Sequence, residues 1–544
     1  MARPRVEWPL PLPPMYLNNH SLHQLDDAYL DSLESGELRG LSKRLLADLK
    51  EARERLNQNP NNSSRPPSSR TPWERAEAAA SREAVEREPG EPEEPVKKQA
   101  KEVVSPEEGK ESLPAIPPVE TKPSAAAPAR KPGKQPGAPG VGRTQVFEPN
   151  AIIEHYPACC AGCGRAVEAT GGTAYTAFQE VDLRWGEAEC PGLGVWVTHH
   201  RYHEVICPCG HHTRETPGRG EVDALLAGVE LSEWRLVGPL LATLMVALSL
   251  RFRLSRARIR EFLHDWLGLD LSVGTIHQTL HEAAAAVAPA EEELIEAVRA
   301  SELLHADETS WPEGGALLWL WIFVSATTTL YYIAGRGKEL VTNVLAGFSG
   351  WLMTDGWFSY RDYPRRLRCW AHLLRKAQGL SESYHREARA FGKEVLTTLE
   401  TSMAAVYAAR EGPPGDLTSS HEQQLANLRA ACERMQGHSH AQTHALAVEL
   451  LNDWEAIFQV LRHPELPLTN NDAERPLRHW VIARQLSHGS RTAVGSRVTA
   501  LLVSVIDTCR QRGHSPWPYL KTAIADRRAG RTLAPLPAAP LPTP

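Results

Sequence analysis

Sixteen prolines fall between Pro60 and Gly142, and no aromatic residue occurs between Trp73 and Phe147. A stretch so rich in Pro, Glu, Lys, Ala and Ser lacks the apolar surface needed to offset the entropy cost of ordering it. It therefore divides the chain. Residues 1–58 read as an N-terminal amphipathic helical segment and 59–145 as a disordered linker, so any large core must form after the linker. The leucines at 22, 25, 30, 33, 38, 41, 45, 46 and 49 hold a heptad register for about two repeats, so this helix could pair with a copy of itself or pack on its own domain.

The chain has 544 residues, 42% of them apolar and 23% charged, enough to bury several cores. The apolar run from Leu236 to Leu250 contains Pro239, is bounded by Arg235 and Arg251, and falls short of the roughly 18 residues of a membrane span, so it reads as a core helix. The N-terminus lacks an apolar signal core, which makes a cytoplasmic location the expectation. Nine cysteines in so long a chain do not make a disulfide framework. Four of them form two Gly-flanked knuckles, Cys160-Ala-Gly-Cys163 and Cys207-Pro-Cys209, whose thiolates could close a structural zinc site in a zinc-ribbon-like module over 146–218. The second knuckle is one residue short. Cys159, His203, His211 or His212 could substitute there, or the ribbon could keep its fold without metal.

Residues 219–300 read as a helical domain, with helices over Trp234–Leu250 and Arg256–Leu267 and a third starting at Ser272. The corner Gly268-Leu-Asp-Leu271 resembles that of a helix-turn-helix, with Ser272 as N-cap and Thr275, His277 and Gln278 placed where side chains meet base edges. Helical packing alone explains the same pattern.

Three acids stand in segments suited to holding a carboxylate still. Asp307 lies just before the aromatic, strand-like run Leu317–Val324; Asp355 closes the strand-like run Gly350–Thr354 ahead of Gly356; Glu474 sits where Asn470-Asn-Asp-Ala-Glu-Arg475 enters a helix. The strand order resembles a ribonuclease-H-like sheet, in which the first and fourth strands lie side by side and bring their carboxylates together. The expected fold is therefore multidomain α+β: a ribonuclease-H-like α/β catalytic core over 301–520, interrupted by a helical insertion at about 381–465 and followed by a tail over 521–544. The ordinary alternative for each acid is a helix cap or turn former. The net charge of -6 is unevenly spread, with basic clusters at Arg251–Arg260, Arg361–Lys376 and 475–512, and backbone phosphates are the natural partner of such patches. Arg130, Lys131 and Lys134 form a cationic Pro/Gly segment that could follow a DNA groove, unless the linker is a plain tether.

Taken in order, Asn61-Asn-Ser-Ser-Arg-Pro-Pro-Ser-Ser69, Arg130-Lys-Pro-Gly-Lys-Gln-Pro-Gly137, the cysteine knuckles, His305-Ala-Asp-Glu-Thr309, Asp355-Gly356, Cys369-Trp-Ala-His372 with Arg375-Lys376, and Asn470–Arg475 resemble the insertion-sequence-66 family of bacterial transposases. The resemblance implies an Asp-Asp-Glu enzyme with Asp307, Asp355 and Glu474 holding two Mg²⁺ ions, Mn²⁺ being a substitute, for cleavage and strand transfer at the ends of a mobile element. It also implies DNA as partner; a homo-oligomer on DNA is expected, and accessory proteins of the same element are candidate partners. Arg256, Arg375, Lys376, Arg475, Arg478 and Arg484 are candidate phosphate contacts, and His372 is expected to pack or hydrogen-bond beside the acids. An inactive DNA-binding descendant and a ribonuclease-H-like nuclease that cuts without joining are the alternatives.

Overall fold

The computed structural model describes residue 30 and residues 33–58, 145–168, 171–186, 192–226, 228–412 and 416–539. Arg130, Lys131, Lys134 and all of the expected linker except residue 145 lie outside these residues. The described part is a mixed α+β, multidomain structure with two larger sheets, a two-stranded pair and many helices.

Helix α1 (Ser35–Asn57) precedes the linker. After the linker, β1 (Ala151–His155), β2 (Thr173–Trp185), β3 (Leu193–Ile206) and β4 (His212–Arg214) form a sheet in which β3 pairs with each of the others. The short strands β5 (Arg219–Gly220) and β6 (Leu231–Ser232) pair next, and α2 (Pro239–Leu250) follows. The apolar run of α2 is a core helix, as its composition implied: Leu241, Met245 and Val246 are fully buried. Helix α3 (Arg256–Leu267) starts at Ser255, whose hydroxyl accepts the Arg258 N–H, and stops at Gly268 in a left-handed conformation. Helix α4 (Val273–Val287) is capped by Ser272, which accepts the Thr275 N–H, and α5 (Ala290–Arg299) leads into the second sheet.

That sheet contains β7 (Leu303–Glu313), β8 (Ala316–Val324), β9 (Thr329–Ala334), β10 (Trp351–Thr354) and β11 (Arg366–Arg368), with α6 (Lys338–Val344) between β9 and β10. Its spatial order is β11-β10-β7-β8-β9, so the first and fourth of its strands are neighbours. β7, β8 and β9 form an antiparallel meander, while β10 runs parallel to both β7 and β11. Both faces are covered, and β8 shows how one apolar run serves both. Trp321 and Phe323 join the core beneath α2–α5, whereas the alternating Leu320 and Ile322 pack with Leu477 and Trp480 on the opposite face.

Helix α7 (Trp370–Ser381) leaves β11 and is followed by α8 (Arg386–Glu411), α9 (Thr418–Met435), α10 (Ala441–Asn452) and α11 (Trp454–Phe458), which share a core with Met353, Leu367 and Trp370. The chain then returns through α12 (Asn471–Ser487), α13 (Ala493–Gln511) and α14 (Pro516–Arg528). The expected tail does not begin at 521. Arg528 is buried with its guanidinium on Glu282 and on the Val237 carbonyl, and these bonds hold α14 against α4 and the start of α2.

Candidate active site

Parallel pairing fixes where the first two acids sit. Leu303, Leu304 and His305 on β7 stand opposite Trp351, Leu352 and Met353 on β10, so Asp307 and Asp355 each follow the last paired residue by two positions. Neighbouring strands lie about 4.8 Å apart, which brings equivalent side chains on one face close together. On β7 the alternation sends Leu304 and Ala306 into the core under α2–α5, and Trp311, of the same parity as Asp307, into the core under α12. Glu474 lies in the first turn of α12.

Asn470, fully buried just before α12, fixes that helix to the sheet. Its Nδ2 donates to the Ala306 carbonyl at 2.8 Å, its Oδ1 is 3.2 Å from His305 Nδ1, and its backbone N–H donates to Cys369 Sγ at 3.3 Å. The carboxylates are also held locally: Asp307 Oδ1 accepts the Glu308 N–H and Asp355 Oδ1 accepts the Trp357 N–H, both at 2.9 Å. Burial, then the charges of Asp355 and Glu308, push Asp307 well above the usual carboxylate range, with Glu474 adding to the same effect. Glu474 Oε1 and His372 Nδ1 face each other at 3.8 Å, both buried and without a hydrogen bond. Burial lowers His372 to about 4, leaving it neutral. Among the described residues, Cys369, His372 and Glu474 form a set whose ligand atoms all lie within 4.8 Å of one another, and the three acids together do not.

Sequence reasoning passed over several residues here. Glu308, with a side chain 1% exposed, receives Arg336 at 2.8 Å and the Tyr360 hydroxyl at 3.1 Å, and burial followed by Asp355 raises it to about 7. Arg368, counted by sequence among the basic patch, is buried instead, donating to Asp453 and Glu449 at 2.5 Å each. Its guanidinium lies where a Cβ on Gly356 would fall, and Gly356 has φ +100°, so a side chain is excluded there on two counts. The partners Glu449 and Asp453 had no signal in sequence beyond being acids on a helical pattern.

Residues 236–498 match the model described as the transposase IS66 family. This segment is an IS66-family transposase domain. It contains β7–β11, α12 and all three acids. Residues 21–101 match a family of unknown function (DUF6444). Three uncharacterized proteins of Sinorhizobium fredii are similar at 25% identity: y4qI over 42% of this chain and 49% of its own length, y4jO over 40% and 70%, and y4hP over 47% and 54%. The chain thus spans about half the length of y4qI.

The candidate DNA-contacting residues fall into two groups within and around this IS66-family domain. His277, Gln278, Arg475 and Arg478 are exposed, and Arg256 with His277 lines a groove of about 760 Å³ between α3–α4 and the α12–α13 turn, where Arg491 also lies. A larger groove of about 1130 Å³ on the other side of α12 is lined by Arg251, Arg475 and Arg510. Others are engaged within the fold. Arg484 donates to Thr309 at 3.0 Å and to Ser310, Lys376 donates to Glu449 at 2.7 Å, Arg375 Nε donates to the Ala371 carbonyl at 3.1 Å, and Thr275 meets Ser272 at 2.9 Å. Asp355 opens onto a smaller cavity of about 330 Å³ beside Trp357, Arg361 and Lys376.

Away from this site, the sulfurs of Cys160, Cys163, Cys207 and Cys209 all lie within 4.8 Å of one another. Cys159 is outside the set, so the shortened knuckle contributes both of its own cysteines. Each knuckle turns on a glycine with positive φ, Gly164 donating to the Cys160 carbonyl and Gly210 to that of Cys207. No helix among the described residues is long and apolar enough to cross a membrane.

Proposed function

We propose that this chain is a DNA transposase that cuts and joins DNA with Asp307, Asp355 and Glu474 as its catalytic acids, on a ribonuclease-H-like core. The observation carrying the proposal is that Asp307 within β7 and Asp355 just past the end of β10 are equivalently placed on paired parallel strands, and that the charges of Asp355 and Glu474 both act on Asp307 inside an IS66-family domain. Repulsion among these carboxylates and the partnerless Glu474 Oε1 are both relieved by divalent cations. Bound there, two Mg²⁺ or Mn²⁺ ions would lower the pKa of the attacking water or 3′-hydroxyl and offset charge on the leaving oxygen.

The protein's own part is positioning. Backbone N–H groups orient Asp307 and Asp355, Asn470 sets the start of the helix bearing Glu474, and neutral His372 offers a hydrogen-bonding nitrogen beside Glu474. Water first displaces the 3′ oxygen at the end of the element. The freed 3′-hydroxyl then attacks a target phosphodiester and displaces that strand's 3′ oxygen. Arg475 and Arg478, exposed one and four residues after Glu474, would hold phosphates, and the groove with Arg256, His277 and Gln278 nearby would carry flanking duplex. The chain would act in the cytoplasm as a homo-oligomer on DNA, with accessory proteins of its element.

A zinc-ribbon-like module is part of the reading. Zinc–sulfur bonds of about 2.3 Å place tetrahedral sulfurs about 3.8 Å apart. The pairs Cys160–Cys209 and Cys163–Cys207 are at 3.7 and 3.6 Å.

The test is a strand-transfer assay with Mg²⁺ and DNA bearing the element's ends. Joined products are expected; nicks without joining would favour a nuclease, and binding without either an inactive descendant. Asp307→Asn, Asp355→Asn and Glu474→Gln should each lower cleavage by at least about a thousandfold, as loss of metal-held charge stabilisation does, while DNA affinity stays within a few-fold. Activity retained in one variant removes that residue from the site.

A further inference from the structure

A third set of metal-ligand side chains lies where α1 meets the helical insertion. Glu54 in the last turn of α1, His385 just before α8 and His440 just before α10 present ligand atoms that all lie within 4.8 Å of one another. Glu54 is anchored: Ser383 Oγ and the Tyr384 N–H donate to its Oε1 at 2.5 and 3.0 Å, and its Oε2 is 3.1 Å from His440 Nε2.

The histidines are equally specified. His385 has no hydrogen-bond partner for its ring nitrogens among the described residues, and its ring centroid is 4.7 Å from that of His440. Both sit at helix N-termini. The buried Thr443 hydroxyl is 2.9 Å from His440 Nδ1, the outer contact that orients a metal-bound imidazole. His438 is excluded as a ligand, since its Nδ1 accepts the His440 N–H and its Nε2 donates to Glu387 at 2.8 Å. The tautomer of His440 decides between two states. With the proton on Nε2 the pair is a hydrogen bond to Glu54; with it on Nδ1 a lone pair faces the carboxylate oxygen, an arrangement that a bound cation would stabilise.

We propose that Glu54, His385 and His440 bind a divalent transition ion of the zinc class, which clips α1 onto the helical insertion. Two imidazoles and one carboxylate suit such an ion and not Mg²⁺. With three protein ligands, the fourth position is left to water. Nothing in this proposal depends on the DNA chemistry.

The full chain, stripped by chelation and reloaded with Co²⁺ or Zn²⁺, should hold one equivalent more than Glu54→Gln or the His385→Ala/His440→Ala double variant. The thiolate-to-cobalt absorption of the four-cysteine set serves as internal reference and should be equal per chain in all of them. Glutamine at 54 can still accept the bonds from Ser383 and Tyr384, so this variant separates metal binding from folding. His438→Ala should keep the extra equivalent. Trypsin cleavage within 39–53 should slow at least about tenfold on metal addition in the unsubstituted chain and not respond in Glu54→Gln. Equal metal content in the unsubstituted chain and Glu54→Gln, or cleavage indifferent to metal in both, would overturn the proposal.

Discussion

A carboxylate ringed by carboxylates stores repulsion that a cation can release, and Asp307 is in that state because β7 and β10 run parallel in a register that aligns it with Asp355. The motif His305–Thr309 made Asp307 legible in sequence, whereas Glu308 beside it was passed over, because its role follows from Arg336 and Tyr360 arriving from distant segments. The same holds for Arg368. Counting basic residues placed it on a nucleic-acid face, yet it is buried against Asp453 and Glu449. Removing one member of a buried ion pair leaves the other uncompensated, so Asp453→Asn should destabilise the protein by about 3–5 kcal/mol in urea unfolding, and a cost under about 1 kcal/mol would show Arg368 to be satisfied otherwise. A pH effect belongs to Glu180 on β2, which burial and the neighbouring Asp182 raise to about 7. Its folded pKa exceeds the ordinary 4.5, so the folded chain binds this proton more tightly, and the stability it contributes is full below about 4.5 and lost as pH rises to about 7. Glu180→Gln should flatten part of that decline; an unchanged profile in the variant would contradict the assignment.

Helix α12 shows how an element is positioned by a residue that takes no part in chemistry. Asn470 bonds β7 through its side chain and Cys369 through its N–H, so it sets where Glu474 emerges. Asn470→Ala leaves the Ala306 carbonyl without this donor. Cleavage should fall about ten- to a hundredfold with DNA affinity little changed, and full activity would mean that packing of Leu477 and Trp480 alone seats the helix. Elements were the most readable level of the sequence. Helix α3 was expected over Arg256–Leu267 and has those bounds, because Ser255 and Gly268 supply both caps locally. The continuation of α14 to Arg528 was missed, since it depends on a buried pair with Glu282, 246 residues away.

For the whole molecule, the strand and helix patterns announced a mixed α+β chain, and the unbroken apolar run Leu317–Val324 announced a buried strand, which is β8. What composition could not separate was charge that pairs inside from charge that faces outward. Arg497, counted in the third basic patch, meets Glu291 and Asp223, and Arg251 meets Asp507 at 2.9 Å, whereas Arg475 and Arg478 remain exposed beside Glu474. The account depends on the sheet and α12 jointly holding two cations. Anomalous diffraction from crystals of the full chain soaked in Mn²⁺ tests this directly. Two peaks roughly 4 Å apart, flanked by Asp307, Asp355 and Glu474, are expected. Crystals showing Mn²⁺ elsewhere, or none beside these three carboxylates at saturating concentration, would contradict it.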